Sequence, residues 1–211
     1  MSEARPGHVV LTNVRLSYVH LDKPYSQNND PEDARYSATI LLPKTDKRGK
    51  AALDAALAEA VEKAKEKHGR SFPPGPKTSI HDGDGVRPSD GMPFPDECKG
   101  MWVFNARSKQ APQCVDMYKQ PLLDPTEIYS GCWAHVGVTL YGYVNSANKG
   151  VAVALETVMK ARDGEPLGGA RASAEDDFAD IPAVVGAPPE AVPAGQTIVG
   201  YDPNTFEPIY G

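Results

Sequence analysis

Residues 131–145, GCWAHVGVTLYGYVN, carry two kinds of side chain at alternate positions. Cys132, Ala134, Val136, Val138, Leu140, Gly142 and Val144 are small or apolar, whereas Trp133, His135, Thr139, Tyr141, Tyr143 and Asn145 are aromatic or polar. Successive side chains of a β-strand point to opposite faces. The segment therefore reads as a strand with an aliphatic core face and an aromatic second face. A slip of one residue would expose the whole aliphatic set, so the register is well specified. Other strand-like segments bring cations to their second faces. These are Arg15 in HVVLTNVRLSYVH, Arg35 in RYSATILLP, Arg107 and Lys109 in MWVFNARSK, and Lys160 and Arg162 within 150–162. Rings beside cations suit single-stranded nucleic acid, because bases stack on the rings and the cations track phosphates. On this reading Trp133, Tyr141 and Tyr143 stack bases. Arg15, Arg35, Arg107, Lys109, Lys149 and Arg162 hold phosphates, and Tyr118 and Lys119 contribute from a neighbouring loop. The competing reading is that the aromatic face is covered by a helix, a loop or a second subunit.

Other constellations are weaker. His81-Asp82-Gly83-Asp84-Gly85 resembles a metal loop or the carboxylate pair of a metal-dependent nuclease. It lacks the alternating oxygens, the closing Glu and the flanking helices of an EF-hand, and DG repeats are ordinary turn chemistry. His20, His81 and His135 have no metal-ligand spacing. Ser130-Gly131-Cys132 lacks the strand–turn–helix setting of a catalytic nucleophile. Cys98, Cys114 and Cys132 are odd in number and without CxxC spacing, which points to buried thiols. No catalytic set, metal or cofactor is expected.

The elements that must position these residues follow from periodicity. Strands are predicted over 8–20, 35–43, 101–109, 131–145 and 150–162, with a short one in 113–118; the last two long strands are joined by the turn SANKG. One helix is predicted over 47–68, where Leu53, Ala56, Leu57, Ala60, Val61 and Ala64 form a stripe and Gly69 provides the stop. Residues 69–100 form a long loop rich in Pro and Gly, which in a compact domain is functional or mobile. The order β-β-α-β-(β)-β-β predicts a mainly β protein, a small, partly open five-stranded barrel with one helix and long loops.

The chain of 211 residues has 22 Lys and Arg against 28 Asp and Glu. Seven of those acids and none of the bases lie in 172–211, so a body of charge +1 (1–171) precedes a Pro/Ala/Gly-rich tail of charge −7. A flexible acidic tail of this kind repels phosphate and can carry a docking peptide. Its best candidate is EDDFADIP, with Asp176, Asp177, Phe178 and Ile181. No apolar run is long enough to cross a membrane as a helix, and the N-terminus lacks a signal pattern, so a cytoplasmic protein is expected.

NVRLSYVHLDKP, RYSATILLPK and IYSGCWAHVGVTLYGYVNSANKGVAVALETVMKARDGEPLGG together resemble a family of tailed-bacteriophage single-stranded-DNA-binding proteins, long catalogued as a domain of unknown function. The likeness runs over most of 8–180 and is strongest at 127–169. It implies an OB-fold core and sequence-independent binding of single-stranded DNA in phage replication and recombination, inside the bacterial host. The contact residues named above come from the strand faces, not from the family. Replication or recombination proteins are the expected partners of the tail, and a homodimer or higher oligomer is expected. Two rival functions compete with this reading: a nuclease using His81, Asp82 and Asp84, and an assembly protein whose aromatic face is a subunit interface.

Overall fold

His8–Tyr25 form β1, an eighteen-residue strand that runs straight through Lys23-Pro24, where the sequence reading stops. In this computed structural model, residues 5–145, 148–167, 198–201 and 208–210 are described. The chain divides into two units, Met1–Ala170 and Arg171–Gly211.

In the first unit β1 pairs antiparallel with β2 (Arg35–Pro43) on one side and β7 (Trp133–Val144) on the other. β2 continues to β5 (Met101–Ser108), and β7 to β8 (Lys149–Arg162). The ring, expected as partly open, is closed where β5 meets β8 in parallel, through the single pair Arg107–Ala154. The product is the five-stranded barrel of an OB-fold. Its interior holds Leu11, Val14, Leu16, Ile40, Phe104, Ala134, Val136, Val138, Leu140 and Leu155, all essentially inaccessible to solvent. The alternation expected for β7 is present.

Bulges alter two other strands. β1 shifts register between Leu11 and Val14 and again between Ser17 and His20. Asn13 and Tyr18 within these steps adopt positive φ, 52° and 48°. Extra residues re-aim a strand's side chains, and Ser17, which simple alternation would set on the outward face with Arg15, is buried. β8 shifts opposite Gly137 and Val138. Val158 therefore enters the core, where simple alternation from Val151, Val153 and Leu155 would have placed Met159.

α1 spans Lys47–His68, capped by the Asp46 carboxylate, which accepts from the Gly49 amide at 2.9 Å, and ended by Gly69 at φ 54°. Leu53, Ala56, Ala60 and Ala64 form its buried stripe. Small residues let the helix approach β7 closely: a Cβ added to Gly142 would lie 2.1 Å from the Cβ of Ala64. Gly142 thus faces the helix, while Tyr141 and Tyr143 point away from it.

Residues 69–100 are not a free loop. They contribute β3 (Lys77–Thr78), parallel to the edge of β8, and β4 (His81–Asp82), antiparallel to β5. Cys98 packs with Leu41 and Val103 in a second small core, joined by Phe94, Met101 and Leu167. β6 (Gln113–Val115) pairs with β8 at Thr157–Met159. No described helix is long and apolar enough to cross a membrane.

The second unit contains an antiparallel pair, β9 (Ile198–Tyr201) and β10 (Pro208–Tyr210). From the sequence this stretch is expected only as tail. Asp176, Asp177, Phe178 and Ile181 lie outside the described residues.

Candidate nucleic-acid interface

β2 and β5 pair in register, Ser37 opposite Arg107 and Thr39 opposite Asn105, so these four residues share one outward face. That face is divided. Toward Leu41 and Val103 it is covered by Phe94 and Cys98 from the 69–100 segment. Toward Arg35 and Arg107 it opens into a cleft of about 960 Å³.

All five barrel strands contribute to the cleft. β1 gives Tyr18, His20 and Tyr25; β2 gives Arg35 and Ser37; β5 gives Asn105, Arg107 and Ser108, followed by Lys109. β7 gives Tyr141 and Tyr143, and β8 gives Val151, Ala152 and Val153. Ser26, Gln27, Asn28 and Asp33 of the first loop and Lys77, Thr78 and Ser79 complete the lining. Strands two and three of an OB barrel, with the loop between strands one and two, are where such folds take oligonucleotides.

Aromatic surface is available in this cleft. Tyr18, Tyr25 and Tyr141 are about half exposed or more, at 62 %, 53 % and 48 %. Tyr25 stacks on His20 with centroids 4.4 Å apart and planes 10° from parallel. Four cations line the cleft, Arg35, Lys77, Arg107 and Lys109, against one acid, Asp33. Arg107 is oriented by donating from Nε to the Asn105 side-chain oxygen at 2.8 Å, and Arg35 by donating to the carbonyls of Glu32 and Ala34.

The cleft therefore brings together Arg35, Arg107, Lys109, Tyr141 and Tyr143 from the sequence reading. The other candidates stand outside its lining. Trp133 lies under the Arg162 guanidinium, 4.2 Å from the ring centroid, with Gly164 against its edge. Arg15 donates to the carbonyls of Gly131 and Glu165 at 3.2 and 2.8 Å. Between the two ends of β7, His135 accepts from the Asn13 amide and Thr139 donates to Glu156. Tyr118 and Lys119 occupy an exposed turn after β6, organised by the Asp116 carboxylate. Lys149 is exposed at the start of β8.

Among the aromatic and basic lining residues, strand-face reasoning missed Tyr18, His20, Tyr25 and Lys77. The signal for Tyr25 was its aromatic ring just before the polar loop SQNND. No pattern marks Tyr18, because a bulge turns it outward.

The HDGDG segment has a structural role. Lys44 Nζ pairs with Asp82 and, at 2.6 Å, with Asp84. It also lies over Trp102 at 5.2 Å. Asp84 further accepts from the Gly100 amide. The Lys44 bonds hold both carboxyls below the usual range and push the lysine up. Burial lowers the pKa of His81, favouring its neutral form. Among the described residues no three His, Cys, Asp or Glu side chains converge as a metal site. Burial raises all three thiols, Cys98 to about 11, so they stay protonated at neutral pH.

A family model described as Enterobacter phage Enc34, ssDNA-binding protein, matches residues 7–185. Protein p50 of Acyrthosiphon pisum secondary endosymbiont phage 1 is 31% identical over 180 residues, 82% of this chain and 93% of its own length. The single-stranded DNA-binding protein from bacteriophage Enc34, solved in complex with ssDNA, is 34% identical with a TM-score of 0.62, covering 77% of this chain and 90% of that one. The gp2.5 single-stranded DNA-binding protein of bacteriophage T7 is similar in fold, with 20% identity and a TM-score of 0.50 over 85% of this chain and 96% of its own.

Proposed function

The chain belongs to the Enc34 family of phage single-stranded-DNA-binding proteins, and from that membership we propose that it binds single-stranded DNA without sequence preference in its barrel cleft. The observation that carries the proposal is the convergence of Tyr18, Tyr25, Tyr141, Tyr143, Arg107 and Lys109 on one groove of the β2–β5 face. Rings offer stacking that every base can use, and cations neutralise phosphates. Neither supplies the fixed donor and acceptor pattern that reading a sequence requires. Arg35 adds to the phosphate path. The Arg15–Trp133–Arg162 cluster, the Tyr118–Lys119 turn and Lys149 serve the outer stretches of a longer strand.

The role extends to phage DNA replication and recombination in the host cytoplasm. The acidic residues of 172–211 lower affinity for a polyanion through their charge. Asp176, Asp177, Phe178 and Ile181 dock a replication or recombination protein. The protein works as a homodimer or higher oligomer.

Neither Trp lines the cleft, so anisotropy of a labelled oligo-dT is a better readout than Trp emission. Binding that weakens steeply with salt is expected. Absence of binding at low salt ends the proposal.

A further inference from the structure

We propose that Lys77–Ser79 is a DNA-contacting strap of the cleft, seated by Gly150, and that it takes one phosphate of the bound strand; this rests on the single-stranded-DNA reading above. Lys77 and Thr78 pair in parallel with Gly150 and Val151 of β8. Two residues of strand in a Pro- and Gly-rich segment have little tendency to stay extended by themselves, so the edge of β8 holds them. The fit depends on Gly150. A Cβ there would stand 2.5 Å from the Lys77 carbonyl oxygen, closer than real Cβ contacts come. On its other side Gly150 pairs with Tyr143. The strap is therefore one strand away from a ring of the cleft.

Two observations point to a ligand at the strap. Lys77 from β3 and Ser79 from the bend that follows it both line the cleft. An ammonium and a hydroxyl so placed are a donor pair for a phosphodiester oxygen. Independently, Ser79 Oγ is buried without a hydrogen-bond partner, and so is Ser26 Oγ, which lines the same cleft from the first loop. Buried hydroxyls are almost always hydrogen-bonded. Neither oxygen is open to solvent as it stands, so each meets a ligand in the groove after a χ1 rotation, which no existing hydrogen bond opposes.

The test is a salt series of oligo-dT titrations with the full chain. Lys77→Ala should bind more weakly, and the slope of log affinity against log salt should flatten by about 0.7, one phosphate contact of a single strand. Ser79→Ala should weaken binding about three- to tenfold with an unchanged slope, because it removes a hydrogen bond but no charge. In the Gly150→Ala background the strap is displaced, so adding Lys77→Ala should change nothing further. If Gly150→Ala does not fold, the Lys77 and Ser79 variants decide the matter alone. The strap is overturned, and the cleft retained, if both titrate as wild type while Arg107→Ala weakens binding. Failure of the wild-type chain to bind removes strap and cleft together.

Discussion

Trp133 and Tyr141 point to the same side of β7 but stand at its two ends, eight residues or roughly 26 Å apart. Tyr141 borders the cleft, and Trp133 is stacked under Arg162. The two rings therefore separate in a mutational test. Tyr141→Ala should cost about 1–3 kcal/mol in oligo-dT binding, the worth of one stacked base. Trp133→Ala should leave the affinity for a short oligonucleotide unchanged and lower stability by about 1–2 kcal/mol through lost packing. Equal losses of affinity in the two variants would place both rings in the primary site.

Arg107 stands on the open half of the β2–β5 face and makes no ion pair among the described residues. Arg107→Ala should weaken binding of every oligonucleotide sequence alike and flatten the salt dependence by about 0.7. A change that depends on sequence, with the salt slope intact, would assign Arg107 to base readout.

Trp102 lies on the other face of the same strand, packed against the main core and flanked by Lys44 and Lys50, the latter 4.5 Å from its ring centroid. Trp102→Ala should destabilise the fold by about 3 kcal/mol, measured by urea unfolding, with binding retained in the folded fraction. Loss of binding without loss of stability would contradict this placement.

The Lys44–Asp82–Asp84 cluster ties β4 to the end of β2. Both carboxyls have folded pKa values below their ordinary 3.8. Their contribution is therefore complete above that value and is lost as the pH falls through the lower folded values. Wild type should exceed Lys44→Ala in stability near neutrality, and the gap should close only below about pH 4. The groups are exposed, so the gap should be small and shrink with salt. A gap independent of pH would mean that Lys44 acts through Trp102 alone.

Removing residues 172–211 takes away seven acids and no base, changing the formal charge from −6 to +1. The truncated chain should bind oligo-dT more tightly, and the gain should fade as salt screens it. Unchanged affinity at low salt would leave the tail a docking arm only.

Much of the barrel was legible because its signals are local. The β7 alternation and the α1 stripe with its Asp46 and Gly69 ends depend only on a few neighbouring residues. Half of the site was legible for the same reason: the alternation that turns Leu140 inward turns Tyr141 outward. The bulges in β1 and β8 were not legible. They arise where one strand must match two partners, and they moved Ser17, Tyr18 and Val158 away from simple alternation. β3 was hidden because its two residues are extended only against β8.

The sequence by itself determined which side chains leave the barrel, since a period of two follows from the covalent geometry of an extended chain. Only the tertiary structure decided which of them meet. Whether an outward residue is open depends on segments distant in sequence. Phe94 and Cys98 cover Leu41, Arg162 covers Trp133, and only Ala152 lies opposite Tyr141 on β8. The aromatic face of one strand is thereby split into a packed end and an open end, and the open end carries the cleft.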